Sequence, residues 1–175
     1  KDVTLLVVPN TRLALGLLAN AYYDYPSRNL RLIGVTGTNG KTSVTYLIRS
    51  ILKHSGQKVG LLGTITNLIN DTSLPSEHTT PESSDLQQLL KKMVEQKVNT
   101  AIMEVSSHAL DLDRVAGCEY DVAVFTNLSQ DHLDFHLDLE TYLQAKTKLF
   151  KNLKPGWKKA PKYVVLNWDD PSSRV

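Results

Sequence analysis

Five short apolar runs recur along this chain: "LRLIGVT" (30–36), "VGLLGT" (59–64), "TAIMEVS" (100–106), "YDVAVFTN" (120–127) and "KYVVLN" (162–167). Helical patterns near 41–54, 82–96 and 138–152 lie among them. This alternation constrains the fold more than any other feature. Strands that are apolar on both sides need cover on both sides, so the pattern predicts an α/β domain with a mostly parallel sheet and helices on both faces. A further run, "VTLLVV" (3–8), predicts a short buried strand, and "TRLALGLLANAYY" (11–23) a helix closed by "DYPS". The main domain is expected to start at about Leu30 and to fill the rest of the 175 residues, a length that buries roughly 70% of the unfolded surface. There is no internal repeat.

Composition mainly excludes. Cys118 is the only cysteine, so no intrachain disulfide forms and a reducing, cytoplasmic setting is expected. No apolar run approaches the roughly 20 residues of a membrane span, and the start lacks a secretory pattern. A net charge of +2 is too small to argue for nucleic acid. The densest basic cluster (Lys151, Lys154, Lys158, Lys159, Lys162) is interrupted by a single aromatic residue, Trp157, too few for a base-stacking platform, and is expected to be a solvated loop.

In open parallel sheets, ligands bind beyond the carboxyl ends of the strands. The residues there are "GTNGKTS", "ITN", "SSH" and "NLSQDH", polar and chemically capable in all four cases, which predicts one shared site. The first belongs to "GVTGTNGKTS" (34–43), between a strand and a helix. Gly37 and Gly40 let backbone N–H groups turn toward phosphate oxygens, Lys41 can reach the outer phosphates, and Thr42 can hold Mg²⁺. The usual phosphate-loop formula wants glycine where this chain has Val35, and Gly34 misses it by one. The alternative is a glycine turn with no ligand.

Four other features carry chemistry. Glu104 ends an apolar strand at the same edge, and a carboxylate there is costly unless it meets a cation: a metal ion, or Lys41 or Arg114. His132 and His136 have a spacing that could bind zinc on a helix, but further soft ligands are missing. "HTTPE" (78–82) places two hydroxyls and Pro81 before a helix, as N-capping by Thr80 would also do. In the helix from Asp138, finally, Leu139, Tyr142, Leu143, Leu149 and Phe150 share a face with Lys146, while Lys148 points away. A buried lysine must pair, deprotonate or be modified; its alternative is to snorkel outward.

"GVTGTNGKTS", "HTTPE", "MEVSSHALDLDRV" (103–115) and "FTNLSQDHLDFH" with "YLQAKTKLF" (125–150) together resemble the Mur ligase superfamily, over nearly the whole chain and in the family's order. Thr42, where folylpolyglutamate synthases typically read GKGS, points to the peptidoglycan branch, and the stretches taken together resemble, within it, ligases that add the third residue of the stem peptide. The resemblance implies a phosphate-loop central domain at 30–175, preceded at 1–29 by the end of an N-terminal domain and a linker helix. The amino-acid-binding third domain is expected to be missing, so that the chain alone would bind nucleotide weakly and not ligate. It also implies ATP and Mg²⁺ as cofactors, with Gly37, Thr38, Asn39, Gly40, Lys41, Thr42 and Ser43 holding the nucleotide. Thr42, Glu104, His132 and a carbamylated Lys146 are the implied metal ligands, and Lys41, Lys146 and His132 the catalytic groups. His78, Thr79, Thr80, Ser106 and Arg114 would contact the muramoyl-peptide, while Asp134 and His136 fix a loop. Leu112 departs from members that have glutamine there, which removes one substrate hydrogen bond.

The implied partners are a UDP-muramoyl-dipeptide and an amino-acid acceptor, diaminopimelate or lysine, with no nucleic acid, no membrane and a monomeric protein. The substrate carboxylate would attack the γ-phosphate of ATP, and the amine would then displace phosphate from the acyl phosphate. Two other readings stay open: a poly-γ-glutamate or cyanophycin-type ligase, against which "HTTPE" and "EVSSHAL" argue, and a non-catalytic nucleotide-binding scaffold.

Overall fold

A computed structural model of the chain describes residues 3–130, 136, 138–153, 156–157 and 161–174. In chain order the elements are α1 (Thr11–Tyr22), β1 (Arg31–Thr36), α2 (Lys41–His54), β2 (Val59–Leu62), β3 (Asn67–Ile69), β4 (Thr72–Leu74), α3 (Ser83–Glu95), β5 (Thr100–Glu104), α4 (Ser107–Asp111), β6 (Val122–Phe125), α5 (Leu139–Lys151) and β7 (Tyr163–Leu166). They form one seven-stranded sheet in the order β4-β3-β2-β5-β1-β6-β7. The five strands from β2 to β7 run parallel, and β3 and β4 add an antiparallel edge.

Alternate residues of each strand face opposite layers. Leu32, Ala101, Met103 and Ala123 join the larger core with Leu86, Leu90 and Met93 of α3 and Leu149 of α5. Ile33, Val35, Ile102 and Val124 point to the other face, where Val44, Ile48 and Leu52 of α2 cover them. Helices therefore cover both faces, as the alternating pattern requires. Because β1 lies between β5 and β6, the chain turns to opposite sides of it, and the crevice at its carboxyl end is the position where such sheets bind ligands.

Several expectations are corrected. Residues 3–8 form no strand and Val3, Leu5, Leu6 and Val7 are exposed, because no sheet edge reaches them. Helix α3 is capped at Glu82, not at Thr80. Lys162 does not sit in a solvated loop: its Nζ pairs at 2.9 Å with the buried Asp121, whose other oxygen accepts the Leu32 amide. Lys154, Lys158 and Lys159 of that cluster lie outside the described residues.

Gly34, the glycine one place off the phosphate-loop formula, belongs to β1 and serves packing. A Cβ there would stand 2.7 Å from the Tyr120 ring and 3.1 Å from Leu149. Gly34→Ala is expected to lower stability by about 1–3 kcal/mol through overpacking, read as a drop in denaturant midpoint at unchanged m.

Candidate active site

The loop after β1 is built for close approach. Gly37 (φ 141°) and Gly40 (φ 81°) occupy left-handed backbone, and a Cβ on Gly37 would fall 1.9 Å from Thr126 Oγ1. Gly40 caps α2 without any side chain, so the leading N–H groups of the helix point into the loop. Lys41 folds back over it, donating to the carbonyls of Gly37 (3.0 Å) and Thr38 (2.8 Å).

The strand end after β6 braces the same loop. Asn127 accepts the Thr38 amide through its carbonyl (2.8 Å) and the Asn39 amide through Oδ1 (2.9 Å). Thr126 Oγ1 donates to the Asn39 carbonyl (2.7 Å), and the Ser129 amide donates to Thr38 Oγ1 (3.0 Å). Ser43 is exposed on the first turn of α2.

Glu104 is 1% exposed, and all its partners among the described residues are neutral donors. Its Oε2 accepts from Thr42 Oγ1 (2.9 Å) and Thr64 Oγ1 (3.0 Å), and its Oε1 from the Thr64 amide (3.1 Å). Neither Lys41 nor Arg114 pairs with it, so the purely structural ion pair is not what the chain builds. A buried anion set among hydroxyl oxygens suits a hard cation such as Mg²⁺, which takes one or two carboxylates. Among the described residues no three His, Cys, Asp or Glu side chains cluster as a metal cage.

The "HTTPE" stretch reaches the other side of this carboxylate. Thr79 and Thr64 share a hydroxyl contact at 3.0 Å, and Thr80 Oγ1 donates to the Glu104 carbonyl (2.8 Å) and accepts the Ser106 amide (3.0 Å). Ser106 spends its own hydroxyl on capping α4. Arg114 braces the stretch, bonding Glu82 at 2.8 Å and the Thr80 carbonyl at 3.3 Å. Thus Thr79, Thr80, Ser106 and Arg114 come together, with His78 exposed at the margin. Leu112 closes α4 as its C-cap.

Lys146 is 1% exposed, and its Nζ donates to the Gly37 carbonyl at 2.9 Å, so α5 delivers it to the loop. The helix begins at a capping box in which the Thr141 amide holds the Asp138 carboxyl below its usual range. Lys148, one helical face away, is exposed and pairs with Asp111. Leu139 also lies outside the buried face, at 45% exposure. His132 and Asp134 lie outside the described residues, whereas His136 is buried against the Tyr142 ring with Nδ1 3.6 Å from Asp111. Cys118 offers no nucleophile, since burial pushes its thiol up to about 12.

Sequence reasoning did not single out Thr64, Asn127 or Tyr142. The strand-end segment "NLSQDH" opens with Asn127, Thr64 stands one residue before "ITN", and Tyr142 stands one helical turn before Lys146.

A twisted parallel sheet with a glycine loop and GKT at its switch point defines a phosphate-loop α/β domain. The chain belongs to the Mur ligase family: residues 35–175 match the Mur ligase middle domain. It is 49% identical over 173 residues to a UDP-N-acetylmuramoyl-L-alanyl-D-glutamate–2,6-diaminopimelate ligase of Bacillus licheniformis, covering 98% of this chain and 36% of that protein. A ligase of the same name from Clostridium botulinum is 53% identical over 170 residues, covering 97% and 34%. A solved structure of a ligase with that name superposes with a TM-score of 0.81 at 34% identity, covering 99% of this chain and 35% of the other. The chain thus spans about a third of the length of these relatives.

Proposed function

We propose that this chain is the ATP-binding part of a ligase that adds the third stem-peptide residue to UDP-N-acetylmuramoyl-L-alanyl-D-glutamate in cell-wall precursor synthesis. The observation that carries the reading is the position of Glu104. One buried carboxylate is held by Thr42 of the phosphate loop and by Thr64, which touches Thr79 of the "HTTPE" stretch. The residues read as nucleotide-binding and those read as substrate-binding therefore meet at one edge of the sheet. The names of the relatives favour diaminopimelate over lysine as the acceptor.

In this reading a substrate carboxylate oxygen bonds to the γ-phosphorus of ATP as the β–γ bridging bond breaks and ADP leaves. The acceptor amine then adds to the acyl carbon, loses a proton, and expels inorganic phosphate. The chain's part is positioning and charge neutralisation, which dominate phosphoryl transfer. Lys41 swings from the Gly37 and Thr38 carbonyls toward the outer phosphates, while the α2 amide groups hold the inner ones. Thr79, Thr80 and Ser106 orient the muramoyl-peptide, with Arg114 bracing them. Mg²⁺, held by Thr42, Glu104, His132 and a carbamylated Lys146, would neutralise phosphate charge when bound. In its neutral form the Lys146 amine would bond CO₂ through Nζ and release one proton, giving an anionic oxygen ligand.

Residues 1–29 are read as the end of a preceding domain with its linker helix, and 30–175 as the ATP-binding domain of a monomeric, cytoplasmic enzyme. No described helix is long and apolar enough to cross a membrane. The test is phosphate release by the full-length protein with MgATP, UDP-muramoyl-dipeptide and diaminopimelate. Release is expected only when all three are present. MgATP binding without substrate-dependent release would instead favour a scaffold. Release with another acceptor class would favour a poly-γ-glutamate or cyanophycin-type ligase.

A further inference from the structure

We infer that Tyr142 is a positioning residue that holds the phosphate loop while Lys41 moves; the inference rests on the nucleotide reading above. Tyr142 is 1% exposed on α5, and its hydroxyl oxygen lies 3.3 Å from Thr38 Oγ1. Its ring forms the floor under Lys146, with Nζ 4.1 Å from the ring centroid, and packs against His136, centroids 5.0 Å apart.

The two lysines of the site converge on one acceptor. Lys41 Nζ and Lys146 Nζ stand 3.0 and 2.9 Å from the Gly37 carbonyl oxygen, and Lys41 also holds the Thr38 carbonyl. To reach a phosphate, Lys41 must leave both carbonyls, which removes two charge-assisted hydrogen bonds from the loop. What still ties Gly37 and Thr38 to α5 is Lys146 on the Gly37 carbonyl and Tyr142 on the Thr38 hydroxyl. One helical turn separates these two side chains, so α5 presents them to the loop as a rigid pair. The Asp138 capping box fixes where that helix starts. Tyr142 thereby sets two positions at once, the register of the loop through its hydroxyl and the place of the Lys146 amine through its ring.

A tyrosine that only fills the core would behave differently when its hydroxyl is removed. Tyr142→Phe keeps the ring and the floor under Lys146, so kcat should stay within about twofold, while KM for MgATP rises about three- to tenfold for one lost buried hydrogen bond. Tyr142→Leu removes the floor as well, and kcat should fall about 100-fold through misplacement of Lys146. Thr38→Val removes the partner of the hydroxyl, together with the acceptor of the Ser129 amide, without touching the α5 core. In that background Tyr142→Phe should raise KM for MgATP by less than it does in the wild type.

These values would be measured on the full-length protein with its substrates, beside thermal melts of each variant. A Tyr142→Phe protein with unchanged KM for MgATP, or additive effects of Tyr142→Phe and Thr38→Val, overturns the role of the tyrosine while a normally active wild type leaves the ligase reading standing. A wild type that binds no MgATP overturns both.

Discussion

Lys146→Ala is expected to leave no measurable turnover, a loss of at least about 10³-fold, and added bicarbonate is expected not to restore it. The side chain is 1% exposed and ends 2.9 Å from the Gly37 carbonyl, so alanine removes both an anchor of the phosphate loop and the only amine α5 presents there. Bicarbonate cannot help, because CO₂ has no amine left to add to. Lys146→Met separates chemistry from folding. It keeps the length and volume of the side chain, so little packing is lost, while the Gly37 carbonyl loses one donor and keeps Lys41. The methionine variant should therefore fold, unfolding within about 1–3 kcal/mol of wild type, while remaining inactive. Phosphate-release assays and denaturant melts of the full-length protein check the two halves. Substantial activity in Lys146→Ala would remove the carbamate from the mechanism.

Lysine burial could be seen before any coordinates because helical periodicity is a property of spacing alone. Lys146 falls on the face of Tyr142 and Leu149, and the fold buries all three, while Lys148 points to solvent and Asp111. The same reasoning failed at Leu139, which begins α5 and has no element above it. Strand identity was legible in all five main apolar runs, including 162–167, although β7 lies exposed at the sheet edge. It failed at 3–8, whose composition is equally apolar but which no strand pairs. The β3–β4 hairpin and the single turn of α4 escaped notice because neither is long enough to show a period. At the site, glycine positions and strand ends marked the loop correctly in sequence terms. The partners of each hydroxyl did not follow, since they depend on which strands become neighbours. Thr80 looked like a helix cap, but β5 lies beside it and its hydroxyl bridges Glu104 and Ser106 instead. Thr64 gave no signal at all, being one threonine in a polar turn, although it donates to both oxygens of Glu104.

Glu104→Gln should cost about 10²–10³ in turnover, because it removes charge from the centre of the site while leaving its shape. The carboxylate accepts from Thr42, from the Thr64 hydroxyl and from the Thr64 amide, and glutamine Oε1 can keep the amide bond. The glutamine NH₂ then faces two hydroxyls that can rotate to accept, so every buried polar atom retains a partner and stability should change by only about 1 kcal/mol. An enzyme that used Glu104 merely to tie β5 to α2 and to the turn holding Thr64 would tolerate that exchange. An enzyme that uses the negative charge to hold a divalent cation would not, and its requirement for Mg²⁺ should rise together with the loss of rate. Titrating phosphate release against Mg²⁺ at saturating ATP separates the two. A shifted Mg²⁺ curve assigns the carboxylate to the metal, and wild-type turnover at unchanged Mg²⁺ dependence makes it a structural acceptor only. The first outcome is expected because all partners of the buried carboxylate among the described residues are neutral donors, which leaves its charge to be met by a cation. Gly63 makes room for the group there: a Cβ on that glycine would fall 2.3 Å from Glu104 Oε1.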